Sequence, residues 1–255
     1  MQNFADLIGL SQTLLWQGFI ILLRVGPVVA LLPAFGEQSV PPRVKLVIAL
    51  SFTAIVAPTT PLETDAFTKG FVWILGAETA VGLILGIGVR ILILALQTAG
   101  SIAAQATSLA QIFGGAAAEP LPAMGHVLVI SALALSVMLG LHVRVAEFLI
   151  WSYQTFPMGH FPAPKLVSSW GISQVSQAFS LAFTLAAPFV IVSLLYNLTL
   201  GVINRAMPQL MVAFVGAPLI TAGGLFLMFL LTPVMLSRWH DTLVRFLANP
   251  FAGTP

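Results

Sequence analysis

Cysteine is absent from the 255 residues, which excludes a disulfide framework, a thiolate nucleophile and a thiolate metal site in whatever compartment the chain faces. Charge is almost as scarce. Only 7% of residues are Asp, Glu, Lys or Arg, against roughly a quarter in an average soluble domain, so a water-facing surface could not be clothed. Ten basic and eight acidic side chains are too few to build the clustered basic face that nucleic acid requires. No Lys or Arg precedes Arg24, so the basic region that opens a cleavable signal peptide is missing and the first apolar segment is expected to be retained. Zinc-binding HExxH pairs, Gly-x-Ser-x-Gly elbows and Gly-rich phosphate loops ending in Lys do not occur, and the four histidines at 126, 142, 160 and 240 are scattered. No catalytic residue, metal site or cofactor is assigned.

What the chain does have is apolar length, with 58% hydrophobic residues. A spanning helix needs about 20 largely apolar residues. Charge-poor stretches run over 7–35, 46–58, 70–99, 121–141, 175–203 and 210–236. These six predict an all-α integral membrane protein, read as a single membrane-embedded domain over 1–255 because no linker resembles a hinge between soluble domains. The 46–58 stretch is short for a crossing. With six full spans, Arg43, Lys45 and Arg205 fall on one side and five basic residues on the other, a bias that sets no orientation.

Function must rest on the polar residues kept inside these segments. A charge near the bilayer centre costs about 2.5–3.5 kcal/mol even on the insertion scale, so Arg24, Glu78 and Arg90 require partners or water. Glu78 and Arg90 stand about 18 Å apart along one helix and do not reach each other. Either they form an ion or proton relay, or they meet protein partners. Arg144 and Glu147, three residues apart, fit an interfacial ion pair. Gln97, Ser101, Gln105 and Ser108 fall on one helical stripe that can line water or bond a neighbouring helix. Ala95, Ala99 and Ala103 repeat every fourth residue, as do Gly82 and Gly86, and let two backbones approach closely.

Several elements are more specific: Arg24-x-Gly26, Pro33-x-x-Gly36, and Val40-Pro41-Pro42-Arg43-Val44-Lys45-Leu46. Glu78 with Gly82 and Gly86, Gly100 with Gln105, Glu119-Pro120, Gly140-x-His142 and Phe156-Pro157-x-Gly159 follow in order. Pro188, Gly201, Arg205-x-x-Pro208-Gln209-Leu210 and Gly216-x-Pro218 complete the series. Over residues 24–218 the chain resembles the FliR/SctT family of type III secretion export-gate subunits, and the Val40–Lys45 element is closer to the flagellar branch. Glu119-Pro120 replaces the family's usual Asp-Pro. Thr107 stands where glycine is common, Met211 where Asn is usual, and Asn197 where an acidic residue often sits, which weakens a relay on that helix.

The resemblance implies a non-enzymatic subunit in the bacterial inner membrane at the flagellar basal body. It would assemble with FliP-like and FliQ-like subunits, and with other export-apparatus membrane subunits, into a channel that passes unfolded flagellar proteins. It also implies bent helical hairpins held mainly by partners, and a pore plug in 106–120. The plug residues would be Gln105, Phe113, Gly114, Gly115, Glu119 and Pro120, with Phe113 as the apolar stopper and the two glycines as its flexible part. The alternative reading is an ion-coupled secondary transporter using Glu78, Arg90 and His142, for which no inverted repeat is evident.

Overall fold

The computed structural model describes residues 2–60, 70–107, 123–207 and 212–251. Among them are seven α-helices: α1 Gln2–Leu31, α2 Pro42–Val56, α3 Phe71–Ala106, α4 Ala123–Met138, α5 Leu141–Thr155, α6 Pro164–Ala206 and α7 Val212–Ala248. A single 3-10 turn, Ala57–Thr59, extends α2. Five helical stretches are long and apolar enough to cross a membrane, and six if the bent α4–α5 pair counts as one. The chain is therefore an all-α integral membrane protein.

The helices depart from the apolar runs in instructive ways. The second one begins at Pro42, not at residue 46, because proline at the first helical position is already set at helical φ and Arg43 and Lys45 continue the turn. Hydropathy counts those two charges as an interruption, although the backbone does not. With the 3-10 turn this stretch reaches 18 residues. The fourth run, 121–141, is interrupted: the chain bends by 77° between α4 and α5. Gly140 makes the bend at φ +82°, ψ 35°, a left-handed conformation that costs other residues steric strain. The following α5 is amphipathic, burying Leu141, Val145, Phe148, Leu149 and Ser152 on one face, so it is not visible as an apolar run. Pro164 opens α6 eleven residues before the apolar stretch at Val175.

Tertiary contacts gather the chain into two compact units, residues 1–91, 136–174 and 243–255, and residues 92–135 and 175–242. In the first, α1 packs on α2, and α2 touches α5. Its core includes Ile20, Ile21, Val25, Val28, Val81, Leu85, Val89, Phe148 and Leu149. Trp170 Nε1 donates to the Pro250 carbonyl at 2.7 Å, tying the start of α6 to the chain beyond α7. In the second unit, Trp239 is completely buried and its Nε1 donates to the Leu92 carbonyl at 2.8 Å.

Candidate functional site

The polar centre of the first unit is built on Arg24 of α1 and Glu78 of α3, both completely inaccessible. Their side chains meet as a two-pronged pair: Arg24 Nε donates to Glu78 Oε2 at 2.8 Å and Nη2 to Oε1 at 3.1 Å. Arg24 Nη1 reaches the Ser152 carbonyl at 3.2 Å and its hydroxyl at 3.4 Å. The guanidinium lies over the Tyr153 ring, 3.7 Å from its centroid. The Gly159 N–H donates to Glu78 Oε1 at 2.8 Å, and the Tyr153 hydroxyl approaches Oε2 at 3.5 Å.

A carboxylate offers about four acceptor positions, and four donors face Glu78 here. An ion pair with this many satisfied groups is a brace between α1, α3, α5 and the turn after α5. Gly159 is held from both sides, since Trp73 Nε1 donates to its carbonyl at 3.1 Å, and its φ of +71° suits glycine. Neither Ser152, Tyr153 nor Trp73 has a sequence signal for these roles, because partners 75–128 positions apart are set by packing and not by spacing. Gly159 belongs to the Phe156-Pro157-x-Gly159 element, which is the one local hint.

Arg90 meets a different partner, Glu37 in the turn before α2, at 2.7 Å. The pair is partly exposed, at 35% and 25%. Arg144 and Glu147 lie 3.4 Å apart on the exposed side of α5. Among the described residues no three His, Cys, Asp or Glu side chains gather as metal ligands.

The small residues of α3 lie against neighbours. A Cβ at Gly82 would collide with the Arg24 carbonyl, and one at Gly86 would come within 2.9 Å of Leu31 Cδ1 and 3.2 Å of the Pro27 carbonyl. Ala95, Ala99 and Ala103 are buried, and a Cβ at Gly100 would collide with Gly125 of α4. On the other side of the helix, Gln97 and Gln105 are exposed and Ser101 is intermediate. Ser101 returns its hydroxyl to the Gln97 carbonyl at 3.0 Å. Ser108, Phe113, Gly114, Gly115, Glu119 and Pro120 lie outside the described residues.

A second polar cluster closes the C-terminus of α3, where the last carbonyls have no partner within the helix. Ser193 of α6 donates to the Ala106 carbonyl, and Thr221 of α7 to the Thr107 carbonyl at 3.4 Å. Thr107 itself donates to the Ala103 carbonyl at 3.0 Å. Asn197, which departs from the acidic residue often found at this position in the family it resembles, donates to the Ser193 hydroxyl at 3.2 Å. Gly224 accommodates Thr107: a Cβ there would come within 2.6 Å of the Thr107 Cβ.

Residues 15–246 match the family described as bacterial export proteins, family 1. A flagellar biosynthetic protein FliR from Caulobacter vibrioides is 30% identical over 227 residues, covering 87% of this chain and 90% of that protein. The FliR protein of Escherichia coli is 30% identical over 221 residues, covering 84% of this chain and 83% of that one. That of Bacillus subtilis is 26% identical over 210 residues, covering 78% and 80%. With nearly its whole length matched and its elements in the order the sequence resemblance requires, the chain belongs to family 1 of the bacterial export proteins, the family of the flagellar FliR proteins.

Proposed function

We propose that the chain is a non-enzymatic pore subunit of the flagellar type III protein export gate. It assembles with FliP-like and FliQ-like subunits in the bacterial inner membrane at the basal body, and the channel so formed passes unfolded flagellar proteins. Family membership and the FliR relatives support the export role. The observation that carries the assembly is the length of uncovered apolar surface on α6.

Large side chains are exposed along this helix from Val175 through Phe179, Phe183, Leu194 and Leu198 to Val202. Those ends are 27 residues apart, about 40 Å of helix. Hydrocarbon about 30 Å thick would cover that length only at a tilt of about 40°, the extreme of what spanning helices adopt. Partner subunits covering part of the face satisfy it without such a tilt. In the same reading residues 106–120 plug the closed channel, and the outward stripe of Gln97, Ser101 and Gln105 faces the pore or a partner.

The test is co-purification. The tagged chain, extracted in mild detergent from cells making FliP-like and FliQ-like proteins, is expected to elute with both in one assembly. A well-folded monomer that transports a small solute in liposomes would instead establish the secondary transporter and sink the export-gate reading.

A further inference from the structure

From the surface of α2 we infer a binding site for an anionic phospholipid, with the headgroup phosphate at Arg43 and an acyl chain along the helix. Only 22% of the 18-residue stretch from Pro42 to Thr59 is buried. On the exposed side Arg43, Val47, Leu50 and Ala54 fall within about 60° of one another at 100° per residue, a single stripe with a cation at its N-terminal end. Val47 is 61% and Leu50 48% exposed. No charged side chain follows Lys45 in the helix.

The charges at this end are unequal. Glu37 is neutralised by Arg90 at 2.7 Å. Lys45 bends back to donate to the Gly36 carbonyl at 2.9 Å. Arg43 is exposed and, among the described residues, makes no ion pair. No side chain caps the N-terminus of α2, so the positive end of its backbone dipole adds to the same field. Arg43 and a helix N-terminus at the head of about three turns of uncharged apolar surface match the order of phosphate and hydrocarbon in a lipid. A protein helix seated here would have to bring a separate carboxylate to Arg43, whereas an anionic phospholipid carries the charge and the hydrocarbon in one molecule and in this order.

The inference stands apart from the export reading and has its own test. The chain has no cysteine, so Val47→Cys in the full protein takes a single bimane label. Labelled protein is placed in phosphatidylcholine vesicles containing equal amounts of phosphatidylglycerol, with bromine on the chains of one lipid or the other. Brominated phosphatidylglycerol is expected to quench with about fivefold higher apparent affinity, the preference one basic residue gives at a membrane surface. Arg43→Gln should bring the two lipids to parity, and Arg43→Lys should keep the preference. Equal quenching by both lipids in the Arg43 protein would overturn the headgroup site. Absence of quenching by either would show the face covered by protein and overturn it as well.

Discussion

Arg24 and Glu78 show how a charge pair survives in an apolar chain. Taking either ion out of water costs several kcal/mol, and the cost is offset only where every donor and acceptor has a partner. Glu78→Ala leaves the Arg24 guanidinium buried with no counter-charge, and a loss of about 3–5 kcal/mol is expected, seen as a collapse of thermal stability of the detergent-extracted chain. Replacing both, Arg24→Met with Glu78→Leu, should recover a large part of that loss. A double variant no better than the single one would show that the pair does more than compensate its own burial. Glu78→Gln, which keeps the shape but not the charge, is expected to reduce assembly while leaving the pH profile of export unchanged. A normal assembly with a shifted profile would restore the relay reading. Glycine substitution separates two neighbouring positions. Gly82→Ala drives a methyl into the Arg24 carbonyl and should cost about 1–3 kcal/mol. Gly26→Ala meets nothing within 4 Å inside α1 and should gain about 0.5–1 kcal/mol by helix propensity, which chemical unfolding of the two variants compares directly.

At the scale of elements, packing of α3 is the controlling feature. Its glycines and alanines admit α1 on one stretch and α4 on the next. Gly86→Leu and Gly100→Leu should each lower recovery of the assembled complex, because the side chain has to displace Leu31 in one case and the backbone at Gly125 in the other. Complex yield unaltered by Gly100→Leu would mean that α3 and α4 separate in the assembly. The bend between α4 and α5 rests on a different property of glycine. Gly140→Ala meets no neighbour within 4 Å yet must hold φ at +82°, and a cost of about 1–2 kcal/mol is expected from backbone strain alone. A stable Gly140→Ala protein whose α4–α5 angle, measured by spin labels, remains near 77° would show that the surrounding packing, and not glycine, enforces the turn.

At the scale of the whole molecule, the proposed export channel requires a means of closure. If residues 106–120 plug it, Phe113→Ala or deletion of Gly114 and Gly115 should make membranes leak small ions while the complex remains fully assembled. Membranes as tight as the unaltered ones, in complexes shown to be complete, would exclude this segment as the plug. The cluster of Ser193, Thr221 and Thr107 at the end of α3 bears on the same measurement, since it fixes the residue from which that segment departs.

Composition alone settled the solvent: at 7% charge no arrangement of this chain presents a water-facing surface, so membrane helices were legible before any contact was known. Ordered elements such as Val40–Lys45 and Arg205–Leu210 were equally legible and carried the family. Helix limits were less so, because hydropathy stops at a charge whereas a backbone stops where its hydrogen bonding or φ changes, as at Pro42 and Gly140. The sequence required partners for Arg24, Glu78 and Arg90 but could not name them. The choice of Glu78 for Arg24, and of Glu37 for Arg90, depends on which helices pack together, and two residues 54 positions apart leave no periodic trace of meeting. Tertiary structure decided that pairing, and with it that Glu78 meets four donors within its own chain.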